Sequence, residues 1–352
     1  MNRFVLPVTF LATLALVSCG GGASSSSPQK TQEAPKIARV IVMSGQSPME
    51  GSTFFDHGGT PWLRNAVAEL EEKGHDEIRV DDFFVDEDGV GGIPEVQCSF
   101  RGYYPYESPI RVHASNVDDP MAGEFQNVRV GMGNKDEYMG PEIGLANVIR
   151  DYATEDEPIF LIKTAFSGSS FHDNNPPEYI WRVADDNNGT EGKLWTEAKE
   201  FIGNNLELIR EMGFEPEMKA FLWHQGESDS STAQYGDWMR HLLNEFREEY
   251  SDIAPSENGE NIAFVDCTIY DGTRITYGGV DNLNKTKKAI AEESEMNFII
   301  NGSVKEEDGL NLEIGGNQNI GGCDGMYHYT TIDCFRLGEA YGNVLVENGI
   351  IE

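Results

Sequence analysis

The sequence predicts an α/β fold, a three-layer α/β/α sandwich around a central, mainly parallel sheet. One observation is the apolar run at residues 37–43, in which four of seven residues are Ile or Val, as in a buried strand. The run ends at Ser44-Gly45, where a small residue followed by glycine permits a sharp turn. The other observation is that helical and strand patterns alternate from residue 141 to the C-terminus. Such alternation is typical of βαβ units, which build parallel sheets covered on both faces.

The individual elements follow from hydrophobic periodicity and from the residues at their ends. After the first strand, further strands are predicted at residues 159–163, 218–223, 262–265 and 298–300. Helices are predicted at residues 61–73, 141–152, 194–212, 233–250, 282–295 and 331–346. Parallel strands place their carboxyl ends along one edge of the sheet. The loops after residues 43, 163 and 223, and the late loop that holds His328, are therefore expected to meet there.

Residues 76–136 lack a clear period and are rich in Asp, Gly, Pro and aromatic residues. We predict a long aromatic-rich loop insertion here, since segments of this kind commonly form lids or binding loops. The aromatic side chains suit stacking on sugar rings, and packing into a satellite core is the alternative. They are Phe83, Phe84, Phe100, Tyr103, Tyr104 and Tyr106.

The N-terminal sequence predicts export and a lipid anchor. Residues 1–19 contain an early Arg3, an apolar run and Leu16-Val17-Ser18-Cys19, which resembles the cleavage box of bacterial lipoproteins. The resemblance implies cleavage before the cysteine, its acylation and a place in the bacterial cell envelope; an ordinary secretory signal is the alternative. Residues 20–36 have the composition of a flexible Gly/Ser-rich tether. Residues 37–352 are predicted to form one domain.

Charge and cysteine content limit the possible partners. The chain has a formal charge of −34 at pH 7, and a nucleic-acid-binding protein needs a basic face, so nucleic acid is excluded as a partner. No Cys-x-x-Cys or His-x-x-x-His spacing suggests zinc, and no cofactor is predicted. Disulfides are permitted in an exported protein, and Cys323 and Cys334 form one candidate pair. For Cys98 and Cys267, free buried thiols are an open alternative.

Ser47 is the first candidate for a catalytic residue. It lies two residues beyond the turn that ends the first strand, where open α/β sheets place their chemistry. The nucleophile-elbow pattern Gly-x-Ser-x-Gly does not fit, because Met49 stands at the second glycine position. Pro48 also has no N–H to donate to an oxyanion. If Ser47 is a nucleophile, other groups must build its oxyanion hole.

Further motifs follow in a defined order along the chain. They are Gly45-Gln46-Ser47-Pro48-Met49, Gly140-Pro141-Glu142, Ser167-Gly168-Ser169, Trp223-His224-Gln225-Gly226-Glu227-Ser228-Asp229 and, before the last helix, His328. Together they resemble the landmarks of the SGNH hydrolases, specifically the sialate O-acetylesterase and acetylxylan esterase branch of the carbohydrate esterases. The motifs cover most of the folded chain, and the block at residues 223–229 is the most specific of them.

The sequence departs from the pattern of this family at three places. Pro48 replaces an Asn, and Ser167 and Ser169 replace the outer residues of a Gly-Gly-Thr turn. Asp324 lies four residues before His328 rather than three. None of these changes removes a nucleophile or a base.

The resemblance implies a serine esterase that removes O-acetyl groups from carbohydrate through an acetyl-enzyme. Ser47 is then the nucleophile and His328 the base. Asp324 is the acid expected to orient His328, and Glu227 is the alternative acid.

The resemblance also implies how the oxyanion is bound and what the partners are. The N–H groups of Ser47 and Gly168 and the side-chain amide of Gln225 would form the oxyanion hole, and none of these requires an N–H at Pro48. The implied partners are an acetylated glycan and, through the lipid on Cys19, a membrane. The competing hypothesis is a surface carbohydrate-binding lipoprotein that keeps the fold but has lost turnover.

Overall fold

The computed structural model of the protein describes most of the predicted domain. The described residues are 35–56, 58–75, 78–86, 88, 90–104, 111–172, 176–183, 192–256, 259–273, 278–315 and 327–352. The predicted signal peptide with Cys19, most of the tether, Tyr106, Cys323 and Asp324 lie outside them. Among the helices of the described residues, none is both long and apolar enough to cross a membrane.

A large, mainly parallel sheet lies at the centre of the fold. The described strands are β1 (Lys36–Gly45), β2 (Thr53–Phe54), β3 (Ile93–Tyr104), β4 (Arg111–Ala114), β5 (Gln126–Val128), β6 (Tyr138–Met139), β7 (Ile159–Ala165), β8 (Phe214–His224), β9 (Ala263–Cys267) and β10 (Asn297–Ile300). The order within the described sheet is β10-β9-β8-β1-β7-β3-β4, and β5 pairs with β3. Strands β10, β9, β8, β1, β7 and β3 are parallel, whereas β4 and β5 are antiparallel to β3. Strands β2 and β6 form a separate antiparallel pair.

Helices cover both faces of this sheet. They are α1 (Ser47–Glu50), α2 (Trp62–Glu72), α3 (Glu142–Ile149), α4 (Lys193–Glu211), α5 (Tyr235–Glu249), α6 (Val280–Ala291) and α7 (Thr331–Glu347), with short 3-10 helices at Val80–Phe83, Arg150–Tyr152, Pro177–Tyr179 and Ser251–Ile253. Alternate side chains of β1 enter two cores. Ile41 and Met43 pack with α2, α3 and α7, and Val40 and Val42 pack with α4, α5 and α6. The predicted three-layer α/β/α fold is confirmed.

The predicted loop insertion at residues 76–136 is wrong in part, because the segment supplies three strands of the sheet. Strand β3 pairs in parallel with β7, from Val96 to Arg101. Its pattern is hard to recognise in the sequence, since Pro94 and Glu95 interrupt the alternation and the register with β5 shifts. The aromatic residues Phe83 and Phe100 are buried in the core. For these two residues, the alternative prediction of core packing is confirmed.

The cysteines of the described residues are free thiols. Cys334 lies buried on α7 as a free thiol, so the predicted bridge between Cys323 and Cys334 is wrong. Cys98 and Cys267 are also free and buried. Burial raises the pKa of Cys98 and of Cys334 to about 12, which keeps both thiols protonated and unreactive at neutral pH.

A buried ion pair explains the Gly-Pro-Glu motif. The Lys163 ammonium on β7 lies 2.9 Å from the Glu142 carboxylate at the start of α3, and both side chains are almost fully buried. Glu142 also accepts the N–H of Gly140 at 2.9 Å. Lys163 donates to the backbone carbonyl of Glu50 at 3.0 Å, at the end of α1. The pair therefore supports the short helix that begins with Ser47.

Lys163→Met is expected to lower the free energy of unfolding by about 3–5 kcal/mol, because it leaves the Glu142 carboxylate buried without its cation. Urea denaturation measures this loss. Lys193→Met is the matched control, since it removes a lysine from the exposed ion pair with Glu178. The control should change stability only slightly. Equal losses in the two variants would contradict the role given to the buried pair.

Candidate active site

Ser47 stands at the carboxyl end of the central strand, as the first residue of α1. Gly45 makes this turn possible: it has a φ of 139°, and a Cβ at this position would lie 2.1 Å from the carbonyl oxygen of His224. The close approach lets the N–H of Gln46 donate to the same carbonyl at 2.9 Å. Pro48 occupies the first turn of α1, where an N–H has no helical partner.

The hydroxyl and the N–H of Ser47 are not used by the fold. Within the described residues, neither group makes a hydrogen bond. Ser47 is 7% exposed, so it is largely buried at the edge of the sheet and does not lie on the outer surface. An uncommitted hydroxyl beside an uncommitted N–H is the minimum that a nucleophile with its own oxyanion donor requires.

The Ser167-Gly168 turn follows β7 and is joined to α1 by Glu50. The N–H of Phe166 donates to the carbonyl of Gly45 at 3.0 Å. This bond places the turn beside residues 45–47, which are called the serine loop below. The buried carboxylate of Glu50 accepts the N–H of Ser167 at 2.7 Å and the hydroxyl of the same residue. Glu50 thus fixes the predicted oxyanion donor Gly168 relative to Ser47.

The glutamine block, residues 223–229, begins at the end of β8 and supports the neighbouring loop. Gln225 is fully buried, and its amide donates to Asp229 at 2.6 Å and to the carbonyl of Ser169 at 3.3 Å. Asp229 in turn accepts the N–H of Phe171 at 2.8 Å. Burial raises the pKa of Asp229, although the hydrogen bonds from Phe171 and Gln225 oppose the shift. Both amide hydrogens of Gln225 are committed, so an oxyanion could be bound only by exchange of one contact.

The histidine that Glu227 contacts is His224. The Glu227 Oε1 lies 3.4 Å from the His224 Nε2, and the Glu227 side chain is 11% exposed. Burial acts to raise the pKa of Glu227, but the hydrogen bond and charge of His224 outweigh it, with help from Lys287, and the pKa is lowered. Glu227 is therefore an ionised carboxylate beside the site. Among the described contacts, none joins it to His328.

The loop with His328 reaches the same edge of the sheet. The carbonyl of His328 accepts the N–H of Gly315 at 2.9 Å. The next residue, Tyr329, accepts the Thr53 hydroxyl at its carbonyl at 3.1 Å. Thr330 then caps α7 by accepting the N–H of Asp333. These bonds anchor the backbone of the predicted base close to the segment that follows α1.

Tyr329 links this loop to the end of β8. Its ring is buried, and its hydroxyl lies 3.4 Å from the Nε2 of His224. The structure therefore gathers the serine loop, the Gly168 turn, the glutamine block and the His328 loop. Among the hydrogen bonds of the described residues, none joins Ser47 to His328, and catalytic hydrogen bonds commonly tighten only when substrate is bound. Asp324 lies outside the described residues.

Sequence reasoning missed Glu50 and Tyr329 and gave no definite role to His224. A glutamate three residues after a serine has no motif of its own, and the two aromatic rings meet across more than a hundred residues of chain. Within the described ranges, no group of three or more His, Cys, Asp or Glu residues could hold a metal ion.

A serine just beyond the central strand of a mainly parallel α/β/α sandwich, with a histidine before the last helix, is the arrangement expected from the resemblance to the SGNH hydrolases. The likeness to the carbohydrate esterases within that class is also confirmed. Residues 113–255 match the family model described as "Carbohydrate esterase, sialic acid-specific acetylesterase". The matched region includes β7, the Gly168 turn and the whole glutamine block.

A comparison with solved structures found several similar chains. NanS has a TM-score of 0.52 at 9% identity, and the match covers 89% of this chain and 98% of NanS. A protein from Arabidopsis thaliana gives 0.49 at 16% identity, covering 90% and 99%. XAC1771, a carbohydrate acetylesterase from Xanthomonas citri, gives 0.46 at 12% identity, covering 88% and 57%. The similarity to NanS shows the fold alone. A search of curated proteins gave no match.

Proposed function

We propose that this protein is a serine esterase that removes O-acetyl groups from carbohydrate. The observation that carries the proposal is the position of Ser47 between the Gly168 turn and the glutamine block, with its N–H and hydroxyl uncommitted within the described residues. The family match over residues 113–255 supports an acetylated carbohydrate as the substrate.

The reaction proceeds in two displacements. The Ser47 hydroxyl attacks the acetyl carbonyl while His328 takes its proton. The tetrahedral intermediate collapses, the bond to the sugar oxygen breaks, and His328 returns the proton to that oxygen. Water then attacks the acetyl-enzyme with His328 again as the base, releasing acetate and restoring Ser47.

The oxyanion of each intermediate needs preorganised donors. The N–H of Ser47 is one, and the N–H of Gly168 is the second. Gln225 supplies a third by giving up its longer contact of 3.3 Å with the Ser169 carbonyl. Its contact of 2.6 Å with Asp229 stays in place and orients the amide.

Gln225→Ala is expected to lower kcat by roughly 10²–10³, the usual cost of one oxyanion donor, with little change in KM. Steady-state kinetics with p-nitrophenyl acetate separates the two constants. Thr232→Val is the control, because it removes a contact of 3.3 Å with the same Asp229 carboxylate but leaves the Gln225 amide intact. A rise in KM with unchanged kcat would make Gln225 an ordinary binding residue.

The proposed function is tested by hydrolysis of p-nitrophenyl acetate and its loss after treatment with a serine-directed inhibitor. A panel of acetylated xylan, acetylated sialic acid and other acetylated glycans then identifies the sugar. Binding to glycans without any hydrolysis would instead support the carbohydrate-binding lipoprotein. Neither binding nor hydrolysis would refute both hypotheses.

We also propose that the chain is exported and held at the bacterial envelope by a lipid on Cys19. The cleavage-box sequence and the tether composition of residues 20–36 support this. Cys19→Ala is expected to abolish incorporation of labelled palmitate and to move the protein from the membrane to the soluble fraction. Unchanged fractionation and labelling would contradict the anchor.

A further inference from the structure

His224 occupies the meeting point of three chain segments. Its backbone carbonyl accepts the N–H of Gln46 beside the nucleophile. Its Nε2 lies 3.4 Å from Glu227 Oε1 and 3.4 Å from the hydroxyl of Tyr329. The imidazole ring also meets the ring of Tyr329 edge-to-face, with centroids 5.6 Å apart. His224 therefore touches the serine loop, the glutamine block and the residue next to His328.

The hydrogen of the imidazole can be assigned from its partners. The lowered pKa of Glu227 means that its carboxylate is ionised at neutral pH, and an ionised carboxylate only accepts hydrogen bonds. The Nε2 of His224 must then carry a hydrogen, which it shares with Glu227 and with the hydroxyl oxygen of Tyr329. Loss of the His224 ring would leave Glu227 without its only described side-chain partner.

The other ring nitrogen argues against a purely stabilising role for His224. His224 is fully buried, and its Nδ1 has no hydrogen-bond partner within the described residues. Burial of an unpaired polar nitrogen costs free energy, whereas an apolar ring of similar size at this position carries no such cost. The contacts of Nε2 with Glu227 and with the hydroxyl of Tyr329 therefore explain why a histidine occupies this position.

We propose that His224 is a positioning residue that holds Tyr329 through its Nε2–H, is itself oriented by Glu227, and thereby fixes the loop that carries His328. The inference rests on the proposed esterase function for its kinetic consequence. The backbone of the loop is held by the N–H of Gly315, the hydroxyl of Thr53 and an antiparallel bridge between Ile314 and Tyr329. The contact between His224 and Tyr329 adds a side-chain anchor one residue from the base.

The consequence for turnover follows from geometry. A general base displaced by about 1 Å can lose roughly 10²-fold in rate, since proton transfer requires close alignment. The displacement affects the chemical step rather than the binding of a small ester. His224 is therefore expected to control kcat and to leave KM for p-nitrophenyl acetate nearly unchanged.

Three proteins test the inference: the wild type, His224→Phe and His224→Gln. Phenylalanine keeps the ring and loses Nε2, whereas the glutamine amide places an N–H donor near the position of Nε2. His224→Phe should lower kcat by roughly 10²-fold with KM within about twofold of the wild type. The kcat of His224→Gln should be at least about tenfold higher than that of His224→Phe. A purely structural role would lower the melting temperature of both variants and would show no rescue by glutamine.

Tyr329→Phe tests whether the effect passes through the tyrosine hydroxyl. This change should also lower kcat, and adding it to His224→Phe should cause no further loss, because both changes remove one contact. Additive losses in the double variant would overturn the proposed route through Tyr329.

Hydrogen exchange of the peptide at residues 327–333 gives a readout that does not need turnover. Exchange should be faster in His224→Phe and return toward the wild-type rate in His224→Gln. If the wild type lacks esterase activity, the proposed function fails, and this exchange pattern still decides the positioning role. Unchanged exchange in His224→Phe, or kcat within about threefold of the wild type in an active enzyme, would overturn the inference.

Discussion

Ser47→Ala abolishes esterase activity while the protein stays folded: this is the result expected for the nucleophile. The substitution removes the atom that forms the acetyl-enzyme. Loss of the serine nucleophile alone reduces turnover by about 10⁶-fold in a well-characterised serine hydrolase. The Ser47 hydroxyl makes no hydrogen bond within the described part of the chain, so little stability should be lost with it.

Two measurements make this result decisive. Circular dichroism and the urea midpoint show whether Ser47→Ala folds like the wild type. Ser44→Ala is the matched control, since Ser44 lies near the end of β1, three residues before Ser47, and is also buried. The control should keep activity close to that of the wild type. If Ser47→Ala keeps more than about a hundredth of the wild-type turnover, another residue is the nucleophile.

The acid that orients His328 gives the second large effect. Asp324→Asn and Glu227→Gln preserve the shape of each side chain and remove its charge. The triad acid should lose about 10⁴-fold in kcat when neutralised, because its amide favours the wrong tautomer of the imidazole. We expect Asp324→Asn to show this loss. Glu227→Gln should lose little, because the glutamine oxygen still accepts from His224.

The two amide variants are compared at one pH with p-nitrophenyl acetate, and each must first be shown to fold. The structure supports the expected order in one respect, since the ionised Glu227 carboxylate has its contact with His224. Should Glu227→Gln be the crippled variant and Asp324→Asn nearly normal, the triad becomes Ser47, His328 and Glu227. The positioning role proposed for His224 would then include holding the triad acid itself.

The sequence predicted the elements from which the site is built. The apolar run of β1, the glycine turn before Ser47 and the order of the motifs depend on local patterns that read directly from the chain. The helices from residue 141 onward begin and end within a few residues of their predicted bounds, because their periodicity is strong. By contrast, β3 was missed, because Pro94 and Glu95 disturb its pattern and its place in the sheet comes from pairing with β7.

Local patterns in the chain were enough to predict the α/β class, the edge of the sheet where the loops meet, and the residue types at that edge. These features could be predicted because side-chain period and glycine geometry are local properties of the backbone. Three features of the site were found in the three-dimensional structure alone: Glu50 holds the Ser167 turn, both Gln225 hydrogens are engaged, and His224 lies between Glu227 and Tyr329. Some of these contacts join residues more than a hundred positions apart. Their geometry depends on how whole layers pack, which no local pattern in the chain records.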